Sequence, residues 1–205
     1  MAKATILTQG VPPTPPAGYG VLWVDSTSKR FVQTDDAGVH KGLLGAVNTT
    51  GSQALGSAAD TYITNSGIMV PGGGMQAGQL YRWTIGFLQT ATANTFVVKI
   101  RVGTAKSLAD TDISNTLATT LTNGATASGG LFVVTFLVHS IGASGTGMVS
   151  YDYQFGVLGT ISSADSKAST TFDNTARAGQ FVGISLTPSA TSATINGVKG
   201  ELIGP

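Results

Sequence analysis

Alternation of apolar and polar residues at every second position is the feature that most limits what this chain can fold into. It runs through residues 81–87, 96–102 and 149–157, where aromatic and β-branched side chains alternate with mostly small, polar or charged ones. Successive side chains of a β-strand point to opposite faces, so each of these segments predicts a strand with one buried face. Residues 181–186 and 193–203 add two further runs, and turn residues lie between the segments. This part of the chain is therefore predicted to be a series of strands.

Residues 131–138 differ from the alternating segments because they are apolar at nearly every position (Leu-Phe-Val-Val-Thr-Phe-Leu-Val). A strand that is apolar on both faces needs a cover on both of them. The run therefore predicts a central strand whose second face is covered by another sheet or by another subunit.

The composition of the chain argues against helices. Charged residues make up 10% of the chain, and glutamate occurs once, at Glu201. The solvent-facing side of a soluble helix normally carries Glu, Lys and Arg, whereas Thr, Val and aromatic residues favour strands. Shorter candidates near residues 62–70, 116–121 and 168–172 bring the count to about nine strands, and a jelly roll of two antiparallel sheets uses about eight. The predicted fold is all-β, with a jelly-roll-like antiparallel β-sandwich over residues 59–205.

The N-terminal part of the chain has a different pattern. Prolines concentrated in residues 12–16 keep the backbone extended, and two strand-like segments follow, 21–25 and 29–34, with a polar turn between them. This predicts an extended arm and a β-hairpin over residues 1–45. Residues 46–58 are small and polar without a period, which predicts a flexible linker.

An isolated hairpin is marginally stable in water, so this one is expected to contact something else. Aromatic side chains are common anchors of interfaces, and the hairpin is too small to bury its own. The residues expected to contact a particle or a neighbouring subunit are Leu22, Trp23 and Phe31. The segment is thus predicted to be an attachment module.

The chain has little catalytic material. Its two histidines, His40 and His139, are interpreted as a solvated side chain near a turn and a side chain at a strand end. The glycines at 72–74 lack the following Lys-Ser/Thr pair that a phosphate-binding loop requires. Asp110 and Asp112 offer too few oxygens for calcium, and turn chemistry explains them better. No catalytic, cofactor-binding or metal-binding residue is predicted, and the protein is expected not to be an enzyme.

The formal net charge of +1 gives no electrostatic signature of nucleic-acid binding. The sequence has neither an apolar run long enough to span a membrane nor the basic-then-apolar start of a secretion signal, so neither a membrane nor a secretory location is expected. The mean hydropathy is +0.22, which is high for a soluble monomer, and charged residues are few. Such uncharged, mildly apolar surfaces are typical of chains that bury much of their exterior in an assembly, so a homo-oligomer is expected.

One N-terminal pattern is similar to that of a known family. It consists of Pro-Pro-Ala-Gly at 15–18, Leu-Trp at 22–23, Asp25, Lys-Arg-Phe at 29–31 and Asp-Asp-Ala-Gly at 35–38. The pattern resembles the N-terminal segment of many tailed-bacteriophage virion proteins, both head-decoration proteins and tail appendages. The rest of the chain, including residues 60–71, 77–83 and 101–104, looks like the β-sandwich that often follows this segment.

The resemblance implies a non-enzymatic structural protein of a tailed-phage particle that decorates and reinforces the capsid. The implied partners are the major capsid protein or another virion protein, and the implied homo-oligomer is a trimer. The protein would be made in the host cytoplasm and located on the virion, at the capsid surface. The alternative is a tail or head appendage that binds a host-surface glycan. The short chain favours decoration, because fibres generally need a long trimeric shaft.

Overall fold

Every regular element among the described residues is a β-strand, as the sequence predicts. The structure is a computed structural model that describes residues 21–24, 31–34, 40–42, 47–49, 52–56, 58–71, 74–89, 94–114, 117–121, 128–155, 161–175, 179–189 and 193–204. Within these ranges, no helix has the length and apolar character needed to cross a membrane. In chain order the strands are β1 (Val21–Val24), β2 (Phe31–Thr34), β3 (His40–Gly42), β4 (Val47–Thr49), β5 (Gln53–Leu55), β6 (Thr61–Tyr62), β7 (Ile68–Met69), β8 (Leu80–Gln89), β9 (Asn94–Gly103), β10 (Thr111–Asp112), β11 (Leu117–Leu121), β12 (Ser128–Ser140), β13 (Thr146–Phe155), β14 (Ile161–Ala168), β15 (Phe181–Pro188) and β16 (Ala193–Ile203).

The strands form three antiparallel sheets. Sheet I has seven strands in the order β14-β13-β12-β8-β16, with both β4 and β5 paired to β16. Sheet II has six strands, in which β10 and β11 pair with β9, β9 pairs with β15, and β15 pairs with β6 and β7. The third sheet contains β1, β2 and β3. Sheets I and II together form the sandwich.

The order of the strands in the sandwich is that of a jelly roll. The short strands occur in three pairs, β4/β5, β6/β7 and β10/β11. The two members of each pair bind along the same neighbouring strand and together take the place of one longer strand. Counted this way, sheet I contains the first, eighth, third and sixth positions, and sheet II contains the second, seventh, fourth and fifth. This is the double Greek key of an eight-stranded jelly roll, with β13 and β14 added as a hairpin beyond β12. The predicted jelly-roll-like antiparallel sandwich is confirmed.

The hydrophobic core lies between sheets I and II and is built by the alternating residues. Trp83 and Phe132 of sheet I and Phe96 and Ile100 of sheet II are fully buried. The centroid of the Phe96 ring lies 5.6 Å from that of Phe132 and 5.9 Å from that of Phe87, so aromatic contacts join the two sheets. Each such pair adds about 0.5–1.5 kcal/mol beyond the burial of its area.

Strand β12 occupies the centre of sheet I, as the continuous apolar run predicts. Its inward residues, including Phe132 and Phe136, are fully buried against the core. On its outward face Leu131 and Leu137 are 46% and 40% exposed, so no described part of the chain covers them as sheet II covers the other face. A second sheet over this face, one of the two covers that the sequence predicts, is not present among the described residues, and a cover by another subunit stays a prediction.

Two sequence interpretations need correction. Residues 46–58 are not structureless throughout, because β4 and β5 lie within them and pair with β16, and Leu55 is fully buried. Such short edge strands show no period, since their backbone hydrogen bonds can form with almost any side chain. The strand expected near 168–172 is β14, which lies earlier in a serine-rich segment, while Phe172 makes only a single bridge to Gly145.

In the N-terminal part, β1 and β2 pair antiparallel over the segments predicted to form the hairpin. Strand β3 pairs with β2 and extends the hairpin to a three-stranded sheet. The proline arm at 12–16 lies outside the described residues.

Candidate functional site

The three residues predicted to contact a particle or subunit lie on the hairpin strands. Leu22 and Trp23 belong to β1, and Phe31 begins β2. Their side chains lie outside the described part of the structure, so their contact role stays a prediction. The same holds for the side chain of His40, which begins β3.

A charged cluster lies on the outer face of sheet II. Lys99 and Arg101 alternate along β9 with buried core residues, which places them on the face away from sheet I. Asp60 lies directly before β6, and its Oδ2 accepts hydrogen bonds from Lys99 Nζ at 2.9 Å and from Arg101 Nη2 at 2.7 Å. These three residues are called the Asp60 cluster below.

The guanidinium of Arg101 is the centre of this cluster. Arg101 is only 7% exposed, and its N–H donors are hydrogen-bonded within the chain. Besides Asp60, Nε donates to Ser185 Oγ at 2.8 Å, and Nη1 donates to the carbonyl oxygens of Leu108 at 3.0 Å and Asp110 at 2.9 Å. Burying a charge is costly unless it is paired and hydrogen-bonded, and this set of contacts meets that condition.

The electrostatics of the cluster keep Asp60 ionised. Burial alone would raise the pKa of the Asp60 carboxyl, but hydrogen bonds from Lys99, Ser185 and Arg101 and the charge of Lys99 outweigh it and hold the pKa below its ordinary value. A carboxyl with a lowered pKa is a poor proton donor near neutral pH. The cluster therefore suits structural pairing better than acid–base chemistry.

Tyr62 covers the neighbouring part of the same face. A Cβ placed on Gly183 of β15 would lie 1.9 Å from the hydroxyl oxygen of Tyr62, so a glycine is needed beneath this side chain. Burial raises the pKa of the Tyr62 hydroxyl. The side chain thus packs onto the sheet and does not present a solvated hydroxyl.

The loop between β9 and β10 is held by Asp110. Its Oδ1 accepts the backbone N–H of Ala105 at 2.9 Å and its Oδ2 that of Ser107 at 3.4 Å. At the start of the loop, a Cβ on Gly103 would lie 2.1 Å from Asp110 Oδ1, so the close approach requires glycine. Lys106 Nζ lies 3.8 Å from the centre of the Phe181 ring, which fastens the loop to β15 by a cation–π contact.

The two aspartates of this region perform turn chemistry, as the sequence predicts. Asp110 closes the loop described above, and Asp112 Oδ1 accepts both the N–H of Ser114 at 3.0 Å and its hydroxyl at 2.6 Å. Within the described ranges, no group of three or more His, Asp or Glu residues is placed to hold a metal ion.

The other sequence candidates lie apart from this cluster. His139 is exposed near the end of β12, with Nδ1 3.5 Å from Thr146 Oγ1. Gly72 and Gly73 lie outside the described residues, and the N–H of Gly74 donates to the Pro71 carbonyl at 2.8 Å in a turn.

The Asp60 cluster was missed by sequence reasoning. The alternation along β9 places Lys99 and Arg101 outward, and this is the one signal that could have marked them. Asp60 lies 41 residues before Arg101 in the chain, and only the pairing of β6 and β9 with β15 brings the two together.

No protein-family model matches this chain, and comparisons with curated proteins and with solved structures find no match. What the fold defines is an antiparallel jelly-roll sandwich preceded in the chain by a small separate sheet.

Proposed function

We propose that this protein is a non-enzymatic structural component of a tailed-phage particle, located at the capsid surface, that decorates and reinforces the capsid. The N-terminal sheet would attach it to the major capsid protein or another virion protein, while the sandwich projects outward. The assembled form would be a homo-oligomer, and the N-terminal resemblance implies a trimer.

The observation that carries the proposal is the size of the N-terminal sheet. Strands β1, β2 and β3 contain four, four and three residues and hydrogen-bond with one another, forming a sheet separate from the two sheets of the sandwich. A sheet this small needs its apolar side chains covered to be stable. A capsid surface would supply that cover, and the phage-like residues at 15–38 lie in the same segment.

The jelly roll gives the proposal a second line of support. The Asp60 cluster braces the segment before β6 and the loop between β9 and β10 against sheet II. A rigid module with this character suits a mechanical role.

The test is the binding of the full-length protein to particles that lack it. Trp23→Ala should weaken binding by about 2 kcal/mol or more, roughly 30-fold, if Trp23 is a buried anchor. Thr27→Ala, in the predicted polar turn between the two hairpin segments, is the matched control and should bind almost normally. A variant lacking residues 1–45 keeps β4 and β5 and should fold but fail to bind.

Particles without the protein should rupture at lower temperature than complete particles while still adsorbing to cells. Normal binding by both the Trp23 variant and the shortened chain would contradict the proposal. If particles without the protein fail to adsorb to cells but rupture at the same temperature as complete particles, an appendage that binds a host-surface glycan would be favoured instead.

A further inference from the structure

A row of apolar side chains crosses the outer face of sheet I. The register aligns one residue from each of β16, β8, β12, β13 and β14. Leu131 points outward on the same face of β12, six residues before Leu137, with the polar Thr135 between them. The residues of the row together with Leu131, called the apolar face below, are Leu80, Leu131, Leu137, Met148, Ala168 and Ile203.

Most of the large side chains of the apolar face are exposed. Leu131, Leu137, Met148 and Ile203 are each 40% to 46% exposed. Single exposed apolar residues are normal on a protein, but a contiguous apolar patch marks an interaction surface. Because the strand register aligns these residues, the patch is a fixed feature of the fold.

We propose that a second copy of this chain packs on the apolar face. The inference rests on the homo-oligomer included in the proposed function, but it is independent of attachment to a particle.

The outer face of sheet I around the apolar row is large enough for a specific contact. Five strands at about 4.8 Å spacing and the length of β12 from Leu131 to Leu137, at about 3.4 Å per residue, outline roughly 600 Å². This area includes polar residues such as Thr135 and Ser150 as well as the apolar row. Standard interfaces bury about 600–1,000 Å² on each partner, so the face reaches the lower end of that range.

The charges beside the apolar row favour a second copy over a strongly charged partner. Arg82 and Glu201 are cross-strand neighbours, and Glu201 also pairs with Lys199. A hydrogen bond from Lys199 and the charges of Lys199 and Arg82 hold the pKa of Glu201 below its ordinary value despite a small opposing effect of burial. Both signs of charge thus lie side by side, which complements the same surface on another copy better than an acidic or a basic partner.

The experiment measures the mass of the full-length protein in solution by light scattering at a series of concentrations. We expect a multiple of the 20.7 kDa chain mass and a melting temperature that rises with protein concentration. Leu137→Lys should weaken self-association about tenfold or more, because it places a charge in the middle of the apolar row. Leu108→Lys, which changes an equally exposed leucine on the loop before β10, should keep the mass of the unmodified protein.

Circular dichroism of each variant separates loss of association from loss of folding, and Leu131→Lys repeats the test at a second position. A monomer at all concentrations, or an unchanged mass for both substituted leucines of β12, would overturn the proposal. A monomer whose binding to particles is weakened by Leu137→Lys would also overturn it, since the occupant would then be a virion protein. A monomeric result leaves attachment through Trp23 unaffected, so the two proposals fail separately.

Discussion

The outer faces of the two sheets differ in how far their side chains are covered by other groups of the chain. On sheet II the Asp60 cluster, Tyr62 and the loop closed by Asp110 cover the strands with groups from the same chain. On sheet I the corresponding face leaves Leu131, Leu137 and their neighbours open. The comparison teaches that, among the described residues, much of sheet II is covered by groups of its own chain, whereas sheet I presents an apolar surface that a partner can cover.

The largest effect should come from removing the central cation of sheet II. Arg101→Met leaves Asp60 partly buried without its closest cation and leaves two backbone carbonyls without their donor. We expect the free energy of unfolding, measured by urea denaturation, to fall by about 2–4 kcal/mol. Lys99→Met should cost about 1 kcal/mol or less, because Lys99 is more exposed and Asp60 keeps Arg101. Equal losses for the two variants would mean that Arg101 is not the centre of the cluster.

A glycine pair gives the sharpest contrast between the faces. Gly183→Ala on sheet II places a Cβ 1.9 Å from the Tyr62 hydroxyl and 2.6 Å from the ring carbon that carries it, and overpacking of this kind costs about 1–3 kcal/mol. Gly86→Ala on the outward side of β8 has no atom within 4 Å of its new Cβ. That variant should change the unfolding free energy by less than about 0.5 kcal/mol. Similar values for the two variants would show that the faces are not different in packing.

The smallest effect should be the dependence of stability on pH. The folded-state pKa of Asp60 lies below its ordinary value, so the unfolded chain binds that proton more readily. The stability that Asp60 contributes is present above its unfolded-state pKa and is lost as the pH falls below about 4 and through the folded value. Asp60→Asn should flatten this part of the profile of unfolding free energy against pH. Glu201→Gln should change it less, because the Lys199–Glu201 pair on sheet I is more exposed than the ion pairs of Asp60. A larger change with Glu201→Gln would show that Glu201, and not Asp60, dominates the dependence of stability on pH.

The sequence predicts the core of the sandwich well, because alternation is a local signal. Residues such as Trp83, Phe96 and Phe132 are buried where their spacing places them, and the double-sided apolar run of β12 is central. The edge strands β4 and β5 were not predicted, because a three-residue strand held by backbone hydrogen bonds leaves no period.

The sites are less predictable than the fold. The apolar face follows in part from the outward leucines of β12, but its row across five strands depends on the register of pairs that lie far apart in the chain. The Asp60 cluster depends in the same way on topology. Local pattern identifies which side chains point outward, and only the assembled sheets determine which of them meet.

The position of β16 has a consequence for the synthesis of the protein. In sheet I this strand lies between β8 and the two short strands β4 and β5, and of all the strands in the sandwich it is made last. While the chain is being translated, β8 therefore has one edge without its partner, and pairing between distant segments is slow and leaves such edges open to aggregation. A chain that stops before residue 193 would lose more than one strand of the sandwich, since β4 and β5 would have no strand to pair with and β8 would keep an open edge.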